Sequence, residues 1–223
     1  MRHEEILRIA LELVAERGLA GLTTTELARR NGAALGALYR FFPSKQAVIA
    51  ALQADAFVEL HGALVGAVER ARALVLPPRP SLWAPFIALA DTWLGERERH
   101  PARFRLIDEV LSAPDAVYTD DEARTQERGV NDLLAIVRGC VDVVVGVVGP
   151  SADPATARRF PLALWGALHG VSHFQKRDRL VEPDFLSARV ASSTLILMLR
   201  GLGAVDDDID AAWRAIGPVT LLR

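Results

Sequence analysis

In the first twenty residues, Ile6, Leu7, Ala10, Leu13 and Val14 recur at the spacing of one helical face, with charged residues between them. Gly18 is placed to stop that helix. Thr23-x-x-Glu26 then has the form of a capping box, in which the Thr hydroxyl accepts the Glu26 amide and the Glu26 carboxylate reaches back. The box predicts a short helix with Leu27 and Ala28 inward, ending near Gly32. A second short helix is predicted from about Leu35 to Phe41, with Leu38, Phe41 and Phe42 packed behind it. Ser44 is a suitable cap for a long helix reaching about Leu74, roughly 45 Å at 1.5 Å per residue. The run Leu76-Pro77-Pro78-Arg79-Pro80 cannot be helical throughout and marks a break. Beyond it the pattern predicts helices over 81–99, 101–111, 120–145, 155–175, 184–202 and 207–216, with Pro, Gly or Asp between them. The β-branched run 143–148 finds no partner strand, so a helix end or packed irregular segment fits it better. The expectation is an all-α chain with a three-helix head over residues 1–46 and a helical body over 47–223.

Composition narrows this picture. Of the 223 residues, 51% are hydrophobic, enough for a sizeable core. The lone Cys140 excludes an intrachain disulfide, and its apolar setting reads as a buried small hydrophobe. Glu4, Glu5 and Arg8 interrupt any signal-peptide core, and the longest apolar run is too short for a bilayer. A soluble, cytoplasmic protein without a membrane partner is expected. Net charge is −2, yet residues 1–50 hold seven basic against five acidic side chains, a mild basic bias. Arg outnumbers Lys 24 to 2, a hint of a GC-rich bacterial genome.

Two short helices joined by a tight glycine turn, Gly32-Ala33-Ala34, are the signature of a helix-turn-helix. Its second helix must be short and exposed to enter a major groove about 12 Å wide. Tyr39 and Arg40 are then available for DNA: a phenol reaches phosphate, and a guanidinium binds phosphate or forks onto guanine. Lys45, at the start of the next helix, suits a flanking phosphate. The string Gly-Leu-Thr-Thr-Thr-Glu-Leu-Ala (21–28), Gly32, and Leu38-Tyr39-Arg40-Phe41-Phe42-Pro43-Ser44-Lys45 closely resembles the head of the tetracycline-repressor (TetR) family. The resemblance covers residues 5–52 and continues weakly at Leu164-Trp165-Gly166-Ala167-Leu168-His169-Gly170. It implies that Thr24, Tyr39 and Lys45 contact phosphates, and that Thr25 and Arg40 touch base edges or backbone. The chain departs from the family pattern at Ala33-Ala34-Leu35-Gly36-Ala37, which lacks a polar cap at Ala34 and a hydroxyl at Ala37. Leu35 and Ala37 offer thymine methyls apolar contact only, with Gly36 between them, so base reading is expected to lean on Thr25, Arg40 and DNA shape.

The resemblance further implies a body that binds a small effector and dimerises, through two late helices packed as a four-helix bundle, with two heads on a palindromic double-stranded operator. Leu164, Gly166, Leu168, Gly170 and Val171 on one helix, with Val190, Thr194 and Leu197 on the next, are the expected homodimer interface. Trp83, Phe86, Trp93, Phe104, Trp165 and Phe174 read as core by spacing, and several of them more sharply as the lining of an apolar effector pocket. His169 and His173 lie one turn apart. That spacing suits a metal, but no third ligand is evident, so contact with a ligand or a satisfied interface histidine is expected, with no metal or cofactor. Asp206-Asp207-Asp208 and Asp120-Asp121-Glu122 read as helix N-caps with favourable dipole charge. The expected function is a ligand-responsive repressor. A helical signalling or scaffold dimer is the alternative, and an enzyme ranks below both, because no nucleophile–base pair or phosphate loop stands out.

Overall fold

Helix α1 (His3–Gly21) buries Ile6, Leu7, Ile9, Ala10, Leu13 and Val14, the face its apolar spacing marked out. Gly18 interrupts it with φ +68°, so the predicted stop is a kink after which the chain regains helical form up to Gly21. Then follow α2 (Thr24–Arg30), α3 (Leu35–Tyr39), α4 (Lys45–Arg72), α5 (Pro78–Arg99), α6 (Pro101–Ser112), α7 (Asp120–Val148), α8 (Pro154–Ser172), α9 (Ser187–Gly201) and α10 (Asp206–Ile216). Two 3-10 segments, His173–Leu180 and Pro183–Phe185, stand between α8 and α9. The computed structural model describes residues 3–112, 119–149 and 154–217, and no strand occurs among them. The chain is all-α, with a helix-turn-helix head and a helical body. Its contacts divide it into two units, Met1–Leu60 with Glu96–Asn131, and His61–Gly95 with Asp132–Arg223.

In the first unit Ile6, Leu13, Leu27, Leu38, Phe42, Val48 and Leu52 form one core, and Leu106 of α6 belongs to it. The head therefore shares its core with a helix some sixty residues further along the chain. Arg105, beside Leu106, donates to the Val14 carbonyl at 3.2 Å. Gln53 is fully buried; its amide donates to the Leu106 carbonyl at 3.2 Å and accepts from Gln126 of α7 at 2.7 Å. A buried amide costs on the order of 1–3 kcal/mol when unsatisfied, so these bonds hold α4, α6 and the start of α7 in one arrangement. Gly129 on α7 packs directly on Phe57, since a Cβ there would stand 2.7 Å from the ring. Asp120, Asp121 and Glu122 fill the first turn of α7, but the cap is Thr119, in a reciprocal box. Its hydroxyl accepts the Glu122 amide at 3.3 Å, and Glu122 accepts the Thr119 amide at 2.8 Å.

In the second unit α5 begins at Pro78, so Pro78 and Pro80 occupy the first turn, where a missing N–H costs nothing. Pro85 and Pro161 lie inside α5 and α8, positions the periodicity alone passed over. Helix α8 ends at Ser172 rather than running to 175, and the predicted helix start at 184 is a 3-10 turn preceding α9. Asp178 fixes that start, accepting the Ser187 amide at 2.9 Å and its hydroxyl at 2.6 Å. The run 143–148 is helical. At α10 the N-cap is Val205, without a side-chain bond. Asp206 to Asp208 are thus first-turn charges rather than caps, with Asp206 held by Arg200 at 2.7 Å and Asp208 by Arg79 at 3.2 Å. Among described helices α4 is long and apolar enough to cross a membrane, at mean hydropathy 1.5. Here its apolar positions, Val48, Leu52, Phe57, Leu60, Leu64 and Val68 among them, are buried as core. Cys140 is buried as expected, and desolvation pushes its thiol pKa up, which opposes thiolate chemistry.

Candidate nucleic-acid interface and ligand cavity

The turn motif is built from its caps inward. Thr23 accepts the Glu26 amide at 3.2 Å, the first half of the expected box. The second half is absent because Glu26 is committed to arginines. It accepts from Arg29 at 2.8 Å and from Arg30 at 3.1 Å, and pairs with Arg17 at 3.6 Å. These hydrogen bonds, Arg29 first and Arg30 second, hold the Glu26 carboxyl down to about 2. Arg30 also pairs with Glu16 at 2.5 Å. Three arginines of the head are thereby paired with two carboxylates. Gly32 takes φ +62°, a left-handed turn that disfavours side chains, and the Ala33 amide closes the turn on the Ala28 carbonyl at 3.0 Å. Helix α3 is anchored by Leu38, which is fully buried, and its N-cap Ala34 makes no side-chain bond.

On this scaffold Thr25, Leu35, Gly36, Tyr39 and Arg40 are exposed, while Thr24 and Ala37 are half-buried. Among the described residues the Arg40 side chain makes no hydrogen bond or ion pair, so its five donors face solvent. Lys45 is half-buried, and its ammonium donates to the Leu19 carbonyl at 3.1 Å, leaving two of its three protons for a phosphate. Phe41 corrects the expectation that it packs behind the helix. Arg40 is already the C-cap of α3, so Phe41 falls past the helix end and is 40% exposed, while Phe42 alone turns inward. Cap Ser44 behaves as expected, accepting the Ala47 amide at 3.0 Å.

A cavity of about 40 Å³ lies in the second unit. Leu64 of α4, Leu89 and Trp93 of α5, Leu133, Leu134 and Val137 of α7, and Leu164, Trp165 and Leu168 of α8 line it. This is well below the roughly 300–1,000 Å³ usual for small-molecule sites, so a guest of that size enters only if side chains of the lining move. Trp93 and Trp165 meet edge to face at 6.3 Å. The Trp165 indole N–H is buried without a hydrogen-bond partner among the described residues. His169 lies 6.4 Å from the Trp93 ring and 6.1 Å from the Trp165 ring. His173 follows at 4.7 Å. Trp83 and Phe86 do not line this cavity; both are fully buried core, and Phe86 packs edge-on against Phe160 at 5.8 Å. Phe104 belongs to the first unit, where the Arg97 guanidinium stands 5.8 Å over its ring. The structure leaves Phe174 55% exposed.

Residues 6–52 match the model of the bacterial regulatory proteins, tetR family. The matched stretch is the helix-turn-helix head. No curated protein matches the sequence. Among solved structures, a Rhodococcus protein of unknown function is similar at 23% identity and a TM-score of 0.68, over 91% of this chain and 95% of that one. PfmR, a TetR-family transcriptional regulator from Thermus thermophilus, is similar at 20% identity and TM-score 0.56, over 88% and 98%. The transcriptional regulator FadR from Bacillus subtilis, solved in complex with stearoyl-CoA, is similar at 14% identity and TM-score 0.63, over 90% and 99%. At such identities the likeness extends the fold, and only the fold, from the TetR head to the rest of the chain.

The late helices place the expected interface residues on two sides. Leu164 and Leu168 are buried within the unit, facing the cavity, so these two cannot be offered to a second copy. Gly166 and Gly170 are exposed, and Val171, Val190 and Thr194 are half-buried. Leu197 is 65% exposed. Leu162, four residues before Gly166, is 57% exposed and joins the outward stripe; its i, i+4 spacing to Gly166 and Gly170 was the signal available in the sequence.

Proposed function

We propose that this chain is a cytoplasmic, homodimeric, effector-responsive transcription regulator, acting as a repressor on a palindromic operator. The α2–α3 face carries the reading: Thr25, Tyr39 and Arg40 are exposed on a TetR-family head, and Arg40 is ionically unspent. Arg40 is the base-reading or phosphate-forking group, Thr24, Tyr39 and Lys45 hold phosphates, and Thr25 supplies a hydroxyl at the groove edge. Leu35, Gly36 and Ala37 contribute shape and apolar contact. Dimerisation uses the outward stripe of α8 and α9 (Leu162, Gly166, Gly170, Val171, Val190, Thr194 and Leu197), because two heads are needed for half-sites about one helical turn apart.

The effector enters the Trp93–Trp165 cavity. Its almost wholly apolar lining asks for an apolar or amphipathic molecule. FadR, which shares the fold, is solved with an amphipathic acyl thioester, and that supports the class without naming the molecule. Release requires that the effector bind better to the state whose heads are wrongly spaced. Selection of genomic fragments by the purified protein, followed by gel shift, tests the reading. A palindromic site bound by the wild type, and lost together with the dimer in Leu197→Arg, is expected. Failure to enrich any sequence would favour the scaffold-dimer alternative.

A further inference from the structure

His169 and His173 do more than share a helical face. Their Nε2 atoms lie 3.1 Å apart, with the rings nearly perpendicular at 83°. Two imidazole nitrogens bound to one first-row metal at about 2.0–2.1 Å lie about 2.9 Å apart for a right-angle pair and about 3.4 Å apart for a tetrahedral one. The observed separation falls between these two values, so the two nitrogens stand at the spacing that a shared metal requires.

We propose that His169 and His173 form a binding site for a divalent transition metal such as Zn²⁺, Ni²⁺ or Co²⁺, beside the wall of the cavity. The site stands where α8, ending at Ser172, passes directly into the 3-10 segment that starts at His173. His173 is exposed, which leaves room for water to complete the coordination shell. Lys176, Arg177 and Arg179 follow in the 3-10 segment and oppose a cation, but all three are exposed and solvent and salt screen them. Nitrogen ligands select transition metals over Mg²⁺, which prefers oxygen. Because the His169 ring lies 6.1 Å from Trp165, a metal held here reports itself through that indole.

The same 3.1 Å contact also suits a simple N–H···N hydrogen bond, and a metal titration separates the two. Calorimetry of the full chain with Zn²⁺, and tryptophan quenching by Ni²⁺, are run without DNA or effector, so the result is independent of the regulator reading. One metal per chain, at least a tenfold weaker constant in His173→Ala, partial retention in His173→Cys, and no response to Mg²⁺ are expected. His169→Gln should lose binding while its unfolding midpoint, measured in parallel, stays near that of the wild type. No binding by the wild type, or equal binding by wild type and His173→Ala, overturns the proposal.

Discussion

The α2–α3 face and the α8 cavity differ in how they are made. The first is local: cap, turn, anchor and contact groups all fall within residues 23–45, and its charges are tied in a network around Glu26. The second draws its lining from four helices spread between Leu64 and Leu168, with almost no polar group in the wall. A local site is written in short-range spacing, whereas a cavity exists only where side chains from separate helices fail to fill space.

Paired truncations test that contrast most severely. Leu38 is fully buried in the head core and Leu164 is 1% exposed against the cavity. Large-to-small changes in cores cost about 2–5 kcal/mol. Leu38→Ala should fall in the upper part of that range, because every side of Leu38 is in contact. Leu164→Ala should fall in the lower part, because one side already faces a void and has fewer contacts to lose. Denaturant unfolding measures both, and equal losses would remove the distinction. Arg40→Ala should weaken operator binding by roughly 1–3 kcal/mol while leaving the unfolding midpoint unchanged, as read by gel shift and thermal melting.

The charge network makes a pH prediction with a definite sign. Glu26 is depressed from 4.5 to about 2 in the folded head, so its contribution is complete above the unfolded value and is lost as pH falls through the window between them. Stability measured across that acid range should drop more steeply for wild type than for Glu26→Gln; parallel curves would show that the arginine contacts are spent in solvent. The smallest effect is expected at Ala34, an N-cap with extended backbone and no side-chain bond. Ala34→Ser should stabilise the head by about 0.5–1 kcal/mol, seen as a modest rise in melting temperature.

Much of the head could be read before its structure. The Thr23 cap, the Gly32 turn and the Leu38 anchor are each dictated by backbone requirements of single residues. Phe41 was misjudged because period 3.6 assumes a helix continuing past Arg40, and α3 is only five residues long. Lys45 looked unencumbered because nothing in its neighbourhood announces the Leu19 carbonyl, twenty-six residues earlier. The inclusion of Leu106 in the head core, and the buried Gln53–Gln126 bond, join segments far apart in sequence and leave no periodic trace. In α8 the periodicity identified an apolar face with Leu164 and Leu168 on it. It could not say whether that face meets a partner or a cavity, since both demand the same residues. The His169–His173 spacing was visible, but the approach of the two Nε2 atoms depends on rotamers and on the helix ending at Ser172.

The central claim is that Arg40 and its neighbours on α3 read DNA. Sequencing of genomic fragments retained by the wild type and by Arg40→Ala tests it most directly. The wild type should enrich a palindromic sequence that Arg40→Ala retains weakly or not at all. Identical enrichment by both proteins, or none by the wild type, would contradict the account.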